Sequence, residues 1–171
     1  MEALKSWIRD VPDFPKPGIV FKDITPLLHS PEGFRLCMDA FVEAHAGDSF
    51  DVIAGVESRG FLFGAPLALR MGKPFVPVRK PGKLPWKTER VEYALEYGTD
   101  ALEVHVDAAE PGSRVLVIDD LLATGGTVGA TIELFERIGA VVVGASFVVE
   151  LAFLGGRDRI APVPTQSLLI Y

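Results

Sequence analysis

Short runs rich in Val, Ile, Leu and Ala recur at Asp51–Val56, Phe75–Val78, Arg114–Ile118 and Val141–Val149, and each reads as a buried strand. Helical spacing fills the gaps between them. Phe34, Cys37, Met38, Phe41 and His45 share one helical face behind Ser30-Pro31, an N-cap followed by a first-turn proline, and Gly47 is placed to stop the run. A second helix is predicted over Gly60–Arg70. A third, Thr127–Ile138, carries Val128, Ile132 and Phe135 on one face and has Gly139 where a C-cap belongs. Glu2–Arg9 reads as a short N-terminal helix, and Pro12, Pro15 and Pro17 make Val11–Gly18 extended or turning. Tyr93–Glu96 and Leu102–Val106 alternate in polarity around Gly98-Thr99-Asp100, the pattern of a hairpin. Arg79–Thr88, rich in Lys, Pro and Gly, reads as a mobile loop, so residues 79–106 form a small flexible hood. Strands taking turns with helices predict an α/β domain over 1–171: a mostly parallel twisted sheet with helices on both faces.

Composition narrows the classes of function. Apolar residues are 49% and charged residues 23% of 171, ordinary for a soluble α/β protein. A net charge of -6 argues against general binding to nucleic acid or anionic membrane. One cysteine, Cys37, excludes an internal disulfide and a multi-cysteine metal site. With no basic, apolar leader near Met1 and no apolar run of membrane length, a cytoplasmic protein is expected. Against that average, Arg70–Arg90 holds seven basic residues and one acid, a local charge of +6. It is either a solvated basic loop or a site for a small polyanion.

The chemistry concentrates in VLVIDDLLATGGT, Val115–Thr127. Two carboxylates, Asp119 and Asp120, end the core strand, where ligands of parallel sheets sit. Gly125-Gly126, between Thr124 and Thr127, opens the next helix, and successive amides in such a turn form an anion cradle. There is no lysine as in a nucleotide P-loop, and the glycines do not fit G-x-G-x-x-G. Acids beside a phosphate cradle repel the phosphate unless they bind another part of the same molecule. A ribose diol meets that demand, donating to carboxylates while its 5′-phosphate enters the loop. Adjacent strand side chains diverge, so both acids are expected to reach the sugar only where the strand has begun to turn. The alternative is structural: one acid caps the helix or pairs with a lysine.

VLVIDDLLATGGT resembles the signature loop of the type I phosphoribosyltransferase family. PDFPKPGIVFKDITPLL, GVESRGFLFGAPLA, RKPGKLP, YALEYGTDALE and IAPVP with SLL are similar to the adenine-specific branch of that family, over roughly Pro12–Tyr171. The resemblance implies transfer of a phosphoribosyl group from 5-phosphoribosyl 1-pyrophosphate to adenine, giving AMP and pyrophosphate, with Mg²⁺ held mainly by the pyrophosphate and ribose oxygens and several waters, with few direct protein ligands. It also implies a homodimer.

The implied roles follow the matching motifs. Asp119 and Asp120 hold the ribose. Ala123, Thr124, Gly125, Gly126 and Thr127 hold the 5′-phosphate. Arg59 contacts pyrophosphate from a turn, Glu57-Ser58-Arg59, expected to have strained or cis backbone, and Arg79, Lys80 and Lys83 add charge. Residues 1–30 contain the base-recognition segment: Phe21 stacks on the purine, Leu121 covers its other face, and the main chain of Val20 and Lys22 reads its edge. Glu96 is the acid/base near the ring nitrogens, and Tyr97 closes over the leaving group or ribose. Unaided by the motif, Phe21 reads as a core aromatic and Glu96 as an exposed strand carboxylate. His29, His45 and His105 form no ligand cluster and read as structural. Trp86 is a dimer contact or part of the lid. Two other readings stand: a transferase for a different base, and a non-catalytic nucleotide-sensing regulator.

Overall fold

The computed structural model describes residues 2–94 and 98–171. In chain order it runs α1 (Glu2–Lys5), β1 (Arg9–Pro12), β2 (Val20–Asp23), α2 (Thr25–His29), α3 (Pro31–Ala44), β3 (Val52–Val56), α4 (Arg59–Met71) and β4 (Phe75–Val78). It continues through β5 (Thr88–Ala94), β6 (Thr99–His105), β7 (Arg114–Leu122), α5 (Gly126–Arg137), β8 (Val141–Glu150), α6 (Gly156–Arg159) and β9 (Thr165–Ile170). Five strands form one parallel sheet in the order β4-β3-β7-β8-β9. The parallel α/β expectation holds.

Period-two alternation sends β3 residues to two cores. Val52, Ala54 and Val56 join α5 and the β5–β6 hairpin on one face, with Leu102, Val104 and Phe135 fully buried. Ile53 joins Leu27, Phe41, Phe63 and Leu67 from α2, α3 and α4 on the other. Fully burying each such side chain is worth roughly 1.5–3 kcal/mol, so both faces of the sheet are sealed and only its ends are open to ligands.

Local signals placed several boundaries. Ser30 Oγ accepts from Gly33 N at 3.0 Å and caps α3, and Gly139 with φ 83° follows α5. His45 is a structural residue: Nδ1 meets Asp48 Oδ2 and Nε2 meets Ser146 Oγ, both at 2.7 Å, tying the end of α3 to β8. Cys37 is buried, and burial pushes its thiol up to about 12, which leaves it unreactive.

Three expectations are corrected. The N-terminal helix stops at Lys5 rather than Arg9, because Arg9–Pro12 pairs antiparallel with Val20–Asp23. The turn between them uses a cis Phe14–Pro15 bond, and Gly18 N donates to Asp13 Oδ1 at 2.8 Å. Secondly, the β7 strand does not end at Ile118; its ladder with β8 continues to Leu122↔Glu150. Thirdly, the hairpin is longer than its alternation suggested, pairing Thr88↔His105 through Ala94↔Thr99. The C-terminal strand β9 had no clear signal. In the loop after β4, Arg79 bridges Glu103, and Gly82 N donates to Glu103 Oε2 at 3.1 Å. Trp86, in that loop, is 54% exposed and meets the His105 ring edge-on.

Candidate active site

A cavity of about 220 Å³ opens at the carboxyl ends of β3 and β7, lined by Glu57–Arg59, Lys80, Tyr93, Leu102 and the whole run Asp119–Val128. Parallel sheets place ligands at this end. Register explains why both aspartates reach it. The β3 ladder with β7 stops at Gly55↔Ile118, while the β8 ladder goes on for four more residues. Asp119–Leu122 therefore overhangs its shorter neighbour, and residues from both faces of the strand border the opening. Both acids border the cavity from within β7.

Protein surrounds the two carboxyls on every side but the cavity. Asp119 Oδ1 accepts from Asp120 N at 2.9 Å, and Asp120 Oδ2 lies 2.9 Å from Arg59 Nε. The Asp120 side chain is only 6% exposed, whereas Asp119 keeps partial access through the cavity. Burial pushes the Asp119 carboxyl well above the usual carboxylate range, and the charge of Asp120 pushes it the same way. Burial raises Asp120 as well, against the pull of Arg59. Two acids sharing a dry corner are costly to ionise together, and a site that bears such a cost is a candidate for function.

Beyond the acids, Gly125 adopts φ 78°, a left-handed conformation that suits glycine, and Gly126 begins α5. The first turn of α5 carries no acid, so its free amides and helix dipole favour an anion. Arg59 enters from the opposite wall, directly after a cis Glu57–Ser58 peptide, as the resemblance implied. Its guanidinium carbon also lies 6.0 Å over the Phe21 ring.

The basic residues are placed unequally. Lys80 lines the cavity, with its ammonium on Asp100. Burial alone would lower the Lys80 pKa, but Asp100 and Tyr93 hold it above its usual value. Arg79 is turned to Glu57, with contacts of 3.2 and 3.4 Å, and donates to the Lys83 carbonyl at 3.0 Å. Burial would raise Glu57, yet the Lys80 N–H at 2.8 Å and Arg79 hold it below the usual range. The Lys83 side chain is exposed outside the cavity.

Val20, Phe21 and Lys22 lie on β2, outside the cavity lining, and Phe21 is half-buried with Phe14 edge-on at 5.2 Å. The Lys22 ammonium is engaged by Asp10 at 2.7 Å and lies 4.0 Å over the Tyr171 ring. Among the described residues β2 pairs only with β1, so one strand edge has main-chain groups free of a ladder. Leu121 lines the cavity. Glu96 and Tyr97 lie outside the described residues. Tyr93 is a lining residue that the sequence did not single out: Thr127 Oγ1 donates to its hydroxyl at 3.5 Å, and that hydroxyl donates to Asp100 at 3.4 Å. Its only signal was its place at the head of the YALEYGTDALE segment.

Comparison with known proteins agrees with this geometry. A phosphoribosyl transferase domain model matches residues 23–161. An adenine phosphoribosyltransferase of Anaeromyxobacter dehalogenans strain 2CP-1 is 56% identical over 171 residues, covering 100% of this chain and 99% of that one. The crystal structure of the adenine phosphoribosyltransferase from Thermoanaerobacter pseudethanolicus superposes with a TM-score of 0.96 at 52% identity, covering 99% of both chains. The Saccharomyces cerevisiae enzyme, solved with an imino-altritol bisphosphate and adenine, gives 0.92 at 43% identity, covering 98% of this chain and 97% of that one. The chain belongs to the phosphoribosyl transferase family, in its adenine phosphoribosyltransferase branch.

Proposed function

We propose that the cavity transfers the 5-phosphoribosyl group of 5-phosphoribosyl 1-pyrophosphate to N9 of adenine, releasing AMP and pyrophosphate. One observation carries the reading: a glycine-opened helix start and two overhanging aspartates line one cavity, which matches a phosphate and a diol on the same sugar. The 5′-phosphate is held by the amides and hydroxyls of Ala123, Thr124, Gly125, Gly126 and Thr127. Asp119 and Asp120 accept from the ribose hydroxyls and favour the positive charge that develops on the ring as the bond to pyrophosphate breaks. Holding the sugar at both ends orients the anomeric carbon for in-line attack.

Arg59, at the mouth, takes the pyrophosphate with Lys80, and Arg79 and Lys83 supply the surrounding field. Phe21 and Leu121 sandwich the purine, and the main chain of Val20 and Lys22 reads its edge. Glu96 handles the proton at the ring nitrogens. Tyr97 covers the leaving group or ribose. Among the described residues no group of three acids, histidines or cysteines is placed to hold a metal, whereas the oxygen donors of Asp119 and Asp120 suit a hard cation shared with the substrate. Mg²⁺ bound with the pyrophosphate would neutralise its charge as it departs. The reading includes purine salvage in the cytoplasm by a homodimer. No helix among the described residues is long and apolar enough to cross a membrane, and Leu69 and Phe153 are 84% and 76% exposed, as a second copy would require of a buried contact.

A panel of bases with 5-phosphoribosyl 1-pyrophosphate and Mg²⁺ tests the reading. Adenine is expected to release pyrophosphate, with hypoxanthine, guanine and orotate slower by about 10³-fold or more, because a site built for one hydrogen-bond pattern rejects a base that leaves buried groups unpaired. Faster release with a 6-oxopurine would favour the other-base reading, and binding without release for any base would favour the sensor. Glu96→Gln is expected to lower kcat on the order of 10²-fold, the scale of one acid/base group, with little change in phosphoribosyl pyrophosphate binding. An unchanged kcat removes Glu96 from the chemistry.

A further inference from the structure

The phosphate loop leans on a turn that the transfer reaction does not itself call for. After β8 the chain makes a short 3-10 turn at Ala152–Leu154 and reverses at Gly155 into α6. Gly156 is buried there, and a Cβ built on it would stand 2.2 Å from the Ala123 carbonyl oxygen and 3.0 Å from Leu122 Cδ1. The relation is mutual. A Cβ on Gly125 would stand 2.7 Å from the Gly156 carbonyl oxygen and 3.3 Å from its Cα. Each backbone fills the space that a side chain on the other would need, so Ala123–Gly125 cannot sink unless Gly156 sinks with it.

An ion pair between a buried acid and a half-exposed arginine keeps Gly156 in place. Glu150, the last residue of β8, is 4% exposed. Arg157 grips its carboxylate with Nε at 3.0 Å and Nη2 at 2.5 Å, and Ser167 Oγ donates to it at 2.5 Å. The remaining Arg157 nitrogen, Nη1, donates to the Thr165 carbonyl at 2.7 Å. One side chain thus ties the turn to both β8 and β9. A carboxylate so enclosed tolerates burial only when fully hydrogen-bonded, and truncating a partner loosens the attachment. Neither Gly156 nor Arg157 lines the cavity.

We propose that Gly156, held by the Glu150–Arg157 pair, is a positioning residue for the 5′-phosphate: it sets the height of Ala123–Gly125 and so the direction of the amides that receive the anion. The inference rests on the reading of 123–127 as the phosphate anchor. That loop contains no basic side chain, so its grip depends on converging backbone dipoles together with the Thr124 and Thr127 hydroxyls, and displacing those donors weakens binding of the anion.

Gly156→Ala tests the proposal, with Gly129→Ala on α5 as control because nothing lies within 4 Å of a Cβ there. The readouts are KM for phosphoribosyl pyrophosphate, kcat, and ribose 5-phosphate titrated against backbone amide signals of Thr124–Thr127. Gly156→Ala is expected to raise both KM and the ribose 5-phosphate Kd about tenfold or more while kcat stays within about threefold, the signature of lost substrate binding. Gly129→Ala leaves all three unchanged. Arg157→Lys keeps a charge on Glu150 but loses the fork geometry, and moves KM the same way by about threefold. A Gly156→Ala enzyme with unaltered KM and Kd, or a loss confined to kcat or thermal stability, overturns the proposal. Should that variant fail to fold, an unaltered KM in Arg157→Lys overturns it instead. If ribose 5-phosphate leaves the wild-type amides of Thr124–Thr127 unmoved, the anchor reading itself falls. If the wild type responds and Gly156→Ala responds equally, only the positioning role falls.

Discussion

Replacing Asp119 and Asp120 together by asparagine is expected to cut turnover by roughly 10⁴-fold, since each group that stabilises developing charge is worth 10²–10³, while leaving the fold intact. The same change is expected to stabilise the free protein at neutral pH. Both carboxyls sit above their ordinary range because burial penalises their charged forms. The sign follows from linkage: a raised folded-state pKa means the folded protein favours the proton, so the stabilising contribution is whole below the unfolded value of about 4 and is lost as pH rises through the folded value. Removing the charges recovers that loss. Near neutral pH the double variant should melt higher by about 2–4 °C, the response of a domain this size to 1 kcal/mol, and the gap should close below about pH 4. Thermal melts across pH, beside a turnover assay, check both halves. Retained turnover would remove the aspartates from the ribose role, and a lower melting temperature would contradict the electrostatic account.

Arg59→Ala is the second large effect, with kcat/KM expected to fall about 10³-fold through loss of a positioned charge at the leaving group. Here stability should move the other way. Arg59 Nε stands 2.9 Å from Asp120, whose side chain is nearly sealed, while the arginine side chain is 44% exposed. Truncation leaves a buried acid without its countercharge, a loss of about 1–3 kcal/mol, moderated by the solvent that already reaches the arginine. Adding Asp120→Asn to Arg59→Ala should restore most of that stability and none of the activity. The coupling, read by a double-mutant cycle, separates the structural contact with Asp120 from the proposed one with pyrophosphate. Additive stabilities would mean that the two side chains do not interact.

These two expectations draw on different depths of the sequence. VLVIDDLLATGGT showed a strand, two acids and a helix start in local order, and Ser30-Pro31 and Gly139 marked helix ends by chemistry confined to a few residues. Such features survive folding because their cause is local. The β1–β2 pair was hidden because three prolines mask a strand signal, and β9 because its pairing with β8 outweighs a weak alternation. The overhang of β7 depends on where β3 stops, which is a matter of register between strands about sixty residues apart. Arg79 is basic and suitably placed in sequence, yet its side chain is turned to Glu57. The packing of Gly156 beneath Ala123 joins segments more than thirty residues apart, and no pattern along the chain marks it. The glycine loop was visible as a motif; only tertiary contact shows what supports it.

The most direct test of the site is a crystal structure of the AMP complex. The account predicts the phosphate among the amides of Ala123–Thr127, the ribose hydroxyls on Asp119 and Asp120, and the purine between Phe21 and Leu121. Density for the purine in the acidic corner, or for the phosphate away from the start of α5, would contradict it.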